Sequence, residues 1–286
     1  MKRVCMLTGA SGTLGQAFCR LHSHEYDIVA VYHTRPVATP SSTFDPLNLE
    51  LELPAAQILR LKADLTRESA IERVVTRAIK CFGHVDLLVN AAAHSRWSPL
   101  QDTKDVSDAA RRHFELNAVA PLRLALELVQ KFWRGREQEN RQRNRNIVNL
   151  SSTAGQLVYK DQGQALYGAS KAALELLTRH MANEFAALGI RANAIAPNSF
   201  PSIVCTESVV NRIVGLDRSA ETGTVITIDT GHGAPSLEPR IFNPSVVWKD
   251  GEPRSALRGR AVDKRVLRSG KALKSVHMLA RVPTVS

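Results

Sequence analysis

The stretch that most narrows the fold lies at the amino terminus. Residues 3–8 form an apolar run of strand length, and the chain then turns through Gly9-Ala-Ser-Gly-Thr-Leu-Gly15 into an amphipathic segment at residues 16–22. A strand feeding a glycine turn that opens a helix is a βα unit. Glycines let the backbone approach a ligand closely, and the start of the helix offers unpaired N–H groups at its positive dipole end. In this context the turn reads as a pyrophosphate site rather than a generic bend.

The same alternation continues. Further apolar runs lie at residues 27–33, 58–61, 85–93, 147–150, 190–198 and 221–231, with helical patterns at 68–82, 102–133 and from the Tyr167 region to about 188. Strands alternating with helices predict an α/β fold, a doubly wound, mostly parallel sheet of about seven strands with helices on both faces. Four prolines at 36, 40, 46 and 54 argue against a regular helix in the second crossover. The helix at 68–82 is expected to be capped by Thr66, with Asp64 taking part in the local capping.

Composition bounds the rest. A chain of 286 residues, 44% of them hydrophobic, can bury one substantial core. We expect a domain over residues 1–231 and a basic extension over 232–286. No run is long and apolar enough to span a membrane, and the amino terminus lacks the apolar core of a signal peptide. Cys5, Cys19, Cys81 and Cys205 are scattered, which predicts reduced thiols in a cytoplasmic protein and no zinc site. The formal charge of +11 is uneven: residues 232–286 hold 11 Lys/Arg against four Asp/Glu, supplying +7. The near-neutral body argues against a nucleic-acid-binding domain, although the tail is suited to an acidic partner. The arginine-rich residues 134–145 are expected to form a solvated loop without a catalytic role.

Chemistry concentrates at residues 147–171. The run Ile147-Val148-Asn149-Leu150 reads as a buried strand ending at Ser151 and Ser152, and Tyr167-Gly-Ala-Ser-Lys171 follows. Four residues apart on a helix, Tyr167 and Lys171 share a face, so the lysine charge is expected to lower the phenol pKa toward the range of a general acid or base. A strand's carboxyl end is where open α/β sheets place their ligands.

Together with the glycine turn, Ser then Tyr-x-x-x-Lys after an "IVNLSS" strand resembles the short-chain dehydrogenase/reductase family over roughly residues 3–231. Asn90-Ala-Ala-Ala93 resembles the family's "NNAG", and Asn193-Ala-Ile-Ala-Pro-Asn198 its "NAIAPG". The resemblance implies hydride transfer between a nicotinamide dinucleotide and a carbonyl or secondary alcohol of a small molecule. It implies catalytic roles for Asn117, Ser152, Tyr167 and Lys171. Ser152 is preferred to Ser151 by alignment, and Asn117 would help hold a water beside the lysine. It further implies cofactor contacts from Gly9, Ser11, Gly12, Thr13, Leu14 and Gly15, from His33, Thr34 and Arg35, from Asp64 and Leu65, from Asn90, Ala91 and Ala92, and from Tyr167, Lys171, Pro197 and Asn198. After the second strand the chain gives Tyr32-His-Thr-Arg35 where NAD sites usually carry an acid, which favours NADP(H) over NAD(H). A homodimer or homotetramer built through the helices at about 102–133 and 164–188 is also implied.

Three departures qualify the resemblance. The Gly9/Gly12/Gly15 spacing is similar to that of extended epimerase and dehydratase members, so nucleotide-sugar epimerase or dehydratase chemistry is an alternative, as is a non-catalytic dinucleotide-binding partner protein. The interval from Ser152 to Tyr167 is two residues longer than is common. Residues 199–220 are few for a substrate-covering lid, and the tail is a candidate to pack near the site.

Overall fold

The computed structural model describes residues 2–37, 57–229, 246–249 and 252–255. Seven strands form one parallel sheet: β1 (Arg3–Thr8), β2 (Tyr26–Tyr32), β3 (Ile58–Lys62), β4 (Leu87–Asn90), β5 (Asn146–Leu150), β6 (Arg191–Pro197) and β7 (Val225–Ile228), in the order β3-β2-β1-β4-β5-β6-β7. The sequence therefore forms the doubly wound sheet expected of it. The order reverses between β1 and β4, and a crevice opens beyond the carboxyl ends of the strands at such a switch point.

Successive side chains on each strand point to opposite faces, and both faces are apolar, as a parallel sheet covered on both sides requires. Val4 and Met6 of β1, Leu88 of β4 and Ile147 of β5 join one core, against α2 (Glu68–Phe82), α4 (Ala120–Leu128) and α6 (Ala165–Glu184). Cys5 and Leu7, Leu87 and Val89, and Val148 join the other, against α1 (Thr13–His22) and α7 (Thr206–Arg218). The registers match this partition: Met6 faces Leu88 and Leu88 faces Ile147, whereas Cys5 faces Leu87 and Val89 faces Val148.

Several expected elements take a different form. The helix expected at 102–133 begins as a single 3₁₀ turn at Leu100–Asp102, then runs as α3 (Val106–Phe114) with Asp105 accepting from the Asp108 N–H. It passes through π-helical segments at Glu115–Val119 and Val129–Trp133 on either side of α4. Residue 67, not Thr66, caps α2, because the Thr66 hydroxyl and N–H both donate to Asp64, at 2.7 and 3.1 Å. The helix carrying Tyr167 ends at Glu184.

The arginine-rich residues 134–145 are not a solvated loop. They contain α5 (Glu137–Gln142), and Arg145 is fully buried, its guanidinium 3.6 Å from Asp86 and bonded to Glu139 at 2.5 Å. Arg143 bonds the same Asp86, which also accepts from the Val4 N–H. The cluster closes the amino-terminal edge of the sheet, opposite the crevice.

The 199–220 segment is mostly crossover. Helix α7 buries Val209, Val210, Ile213 and Val214 in the α1 side of the core, leaving residues 199–205 beside the crevice. The chain divides into two units, Met1–Phe242 and Asn243–Ser286. In the second, β8 (Val246–Lys249) and β9 (Glu252–Ser255) pair antiparallel. The expected boundary at 231/232 and the proline-rich crossover over 38–56 lie outside the described residues. Among those described, no helix is long and apolar enough to cross a membrane.

Candidate active site

At the end of β1, Gly9 adopts a φ of +67°, and a Cβ there would sit 2.8 Å from the Ala91 carbonyl oxygen. Only glycine lets the turn pass that close to the end of β4. A Cβ on Gly15 would come within 2.5 Å of the Ala10 Cα, so α1 presses directly on the turn. Gly12 caps α1 without any side-chain bond, leaving the first helical N–H groups for a ligand. Thr8 completes the junction: its hydroxyl accepts from the Ala91 and Ala92 N–H groups at 3.0 and 3.1 Å.

Beside this turn lies a cleft of about 690 Å³. Gly9, Ser11 and Gly12 form its floor. His33, Thr34 and Arg35 come from the end of β2, Asp64 and Leu65 from β3, and Ala91 and Ala92 from β4. The open glycine cradle, the uncapped helix start and the size of the cleft fit the adenosine and pyrophosphate of a dinucleotide. Thr13, Leu14 and Gly15 do not line it, and Leu14 is buried in the core, so these three have backbone N–H groups to offer rather than side chains. The Asn90 side chain takes a different place from the other residues expected at the cleft. Its amide is buried and donates to Asn149 at 2.8 Å, bracing β4 against β5 instead of facing the cleft.

A second cavity, of about 560 Å³, brings Ser152, Tyr167, Pro197 and Asn198 together under Trp97 and Phe200. Strand alternation separates the two serines. Ser151 is buried and donates to Glu175 at 2.7 Å, whereas Ser152 lines the cavity with Tyr167, its hydroxyl accepting from the Ala154 N–H at 3.2 Å. Helix α6 is held close to the turn at Thr153–Gly155 because a Cβ on Gly168 would strike the Ala154 carbonyl oxygen, and one on Gly155 would lie 2.9 Å from the Ala172 nitrogen. These glycines set the depth of Tyr167. Asn198 donates to Asp229 at 2.9 Å and accepts from the Ser199 N–H at 2.7 Å, which fixes the end of β6.

The lysine acts differently from the sequence expectation. Lys171 is buried, donates from Nζ to the Leu150 carbonyl at 2.7 Å, and lies 5.8 Å from the centre of the Tyr167 ring. Burial raises the phenol above its ordinary value and the Ser152 side chain pulls it down, with no lowering from Lys171 among the causes. The same burial pushes Lys171 down to about 8, against the pull of Glu175.

Asn117 falls in the first π-helical segment, fully buried. Its amide accepts from the His94 N–H at 2.7 Å and donates to the His94 carbonyl and the Ser170 hydroxyl, at 3.0 and 2.9 Å. It thus ties the chain after β4 to the helix carrying Tyr167 and Lys171. A π-bulge widens the helix locally, and such bulges gather at functional sites.

Sequence reasoning missed three residues near the site, Arg111, Arg112 and Glu175. Arg111 and Arg112 of α3 line the cofactor-sized cleft, and exposed arginines on a helix give no signal of that. Trp97 stands beside Tyr167 with ring centroids 6.2 Å apart. Glu175 is a buried acid that the Lys171 to Glu175 spacing of four could have flagged.

A family model described as short chain dehydrogenase matches residues 3–233. Protein FixR of Bradyrhizobium diazoefficiens is 32% identical over 228 residues, covering 78% of this chain and 76% of that protein. The 3-oxoacyl-[acyl-carrier-protein] reductase FabG of Thermotoga maritima is 30% identical over 195 residues, covering 68% and 73%. Among solved structures, a short chain dehydrogenase from Mycobacterium smegmatis superposes with a TM-score of 0.66 at 26% identity, over 80% of this chain and 92% of that one.

Proposed function

The chain belongs to the short-chain dehydrogenase/reductase family of NAD(P)-binding oxidoreductases, and from that premise we propose that it is an NADP(H)-dependent ketoreductase acting on a small carbonyl compound. The observation that carries this reading is that Ser152 and Tyr167 line one cavity at the carboxyl edge of the sheet, with the buried Lys171 Nζ 5.8 Å from the centre of the Tyr167 ring. The nicotinamide, when bound, supplies the hydride.

The chain's own residues manage the proton. A phenol raised by burial stays protonated at neutral pH, so Tyr167 is poised to give its proton to the carbonyl oxygen as negative charge gathers there. Ser152 donates to the same oxygen and stabilises that charge. Lys171 stabilises the phenolate left behind. Asn117 keeps α6 and the strand-end loop in register. Asp64 is held by Thr66 at the cleft wall, where it is available to an adenine amino group.

The preference for NADP(H) is supported by the end of β2, where His33 and Arg35 line the cleft and the chain gives Tyr32-His-Thr-Arg35 in place of an acid. A homo-oligomer through α4 and α6 is supported by their exposed Leu126 and Leu176. The test is a fluorescence titration of the full-length protein with NADPH and NADH, followed by turnover on a carbonyl panel. Tighter NADPH binding and carbonyl-dependent NADPH oxidation are expected. Binding without turnover on any carbonyl, or equal binding of both dinucleotides, overturns the corresponding half of the reading.

A further inference from the structure

Glu175 is a buried carboxylate that the proton chemistry above leaves unused. It is 5% exposed and follows Lys171, itself 2% exposed, by one helical turn on α6, so the two side chains share a face. An isolated charge in such a place is costly, which makes two opposite charges one turn apart informative.

The carboxylate is also a joint. Its Oε1 accepts from Ser151 Oγ at 2.7 Å and from Gln156 Nε2 at 3.1 Å, and its Oε2 accepts from Gln156 at 3.2 Å. Gln156 in turn accepts from the Thr227 hydroxyl at 2.9 Å. One side chain therefore fastens the end of β5, the start of the lengthened loop before Tyr167, and β7 to the helix that carries Tyr167.

The other groups facing Lys171 are neutral or engaged elsewhere. From β5 come the Leu150 carbonyl and Ser151. From α6 comes the Tyr167 phenol, and from the first π-helical segment Asn117, bonded to Ser170. Glu115 of that segment pairs with Arg123, and Asp229 beyond β7 accepts from Asn198.

We propose that Glu175 is a positioning residue for proton transfer: it anchors Ser151 and Gln156 to α6 and its negative charge keeps the buried Lys171 side chain an ammonium ion. The proposal rests on the reading of Tyr167 and Lys171 as the proton-transfer pair, so the test has one readout independent of turnover. The full-length protein is labelled with [Nζ-¹⁵N]lysine, the Lys171 resonance is assigned with Lys171→Arg, and its titration is followed in wild type, Glu175→Gln and Glu175→Asp. The glutamine keeps one oxygen to accept from Ser151 and Gln156, gives up the second acceptor and removes the charge, and the aspartate keeps the charge.

The expected result is a Lys171 midpoint about one pH unit lower in Glu175→Gln, with Glu175→Asp close to wild type. The alkaline limb of kcat for NADPH oxidation should move with it. A midpoint unchanged in Glu175→Gln, or lowered as much in Glu175→Asp, overturns the proposal. So does a loss of kcat at every pH without movement of the limb, which is what a packing role alone would give. If Glu175→Gln fails to fold, Glu175→Asp decides, since a shift there as large as a unit is fatal. A shifted midpoint in a protein without carbonyl-dependent turnover upholds the electrostatic role and rejects the reductase.

Discussion

At the residue scale the site is governed by burial more than by charge pairing. Tyr167 is half-buried at the cavity, and burial holds its phenol above the ordinary value. Tyr167→Phe should lower kcat by about 10²- to 10⁴-fold, the usual worth of a general acid, while leaving NADPH binding by fluorescence titration near wild type. Removing the Ser152 hydroxyl should cost about 10²-fold in kcat, measured under saturating NADPH. Lys171 gives the pH dependence. Its folded pKa of about 8 lies below the ordinary lysine value, so from about pH 8 upward the folded chain releases a proton that the unfolded chain keeps until about pH 10.5. Stability contributed by this group is therefore lowest below pH 8 and rises with pH across that window. Urea unfolding of wild type relative to Lys171→Met, measured from pH 7 to 10.5, should show the difference moving in favour of wild type.

At the element scale, two contacts without side chains do much of the positioning. Gly168 lets α6 lie on the turn at Thr153–Gly155, and Gly9 lets the first turn reach the end of β4. Gly168→Ala should push Tyr167 away from Ser152, lowering kcat at least tenfold and costing about 1–3 kcal/mol of stability by urea denaturation, the range for overpacking. Neither close approach was visible in the sequence. A glycine between Tyr167 and Lys171 states only that a side chain is missing, and the atom it makes room for lies 14 residues upstream at Ala154. The π-helical turn holding Asn117 was equally hidden, because it is a widening of the helix that the apolar period does not encode.

At the scale of the whole molecule, the two edges of the sheet do separate work. The carboxyl edge gathers the glycine turn, the cleft and the Ser152–Tyr167 pair, and the amino edge is closed by buried charge. Arg145→Ala would leave Asp86 with fewer partners in a fully buried place, and should cost about 3–5 kcal/mol in urea denaturation with NADPH affinity little changed. The same substitution in a solvated loop would be nearly silent, so this measurement separates the expectation from sequence and the observed packing.

By itself the sequence determined the α/β sheet, the strand–turn–helix at Gly9 to Gly15 and the family to which Tyr167 and Lys171 point, because periodicity and short motifs are local properties. Tertiary structure alone decided that the Asn90 amide braces a strand, that Arg145 is interior, and that burial raises the Tyr167 phenol. Each of these depends on how much water is excluded by atoms distant in sequence, and that quantity exists only once the chain has packed.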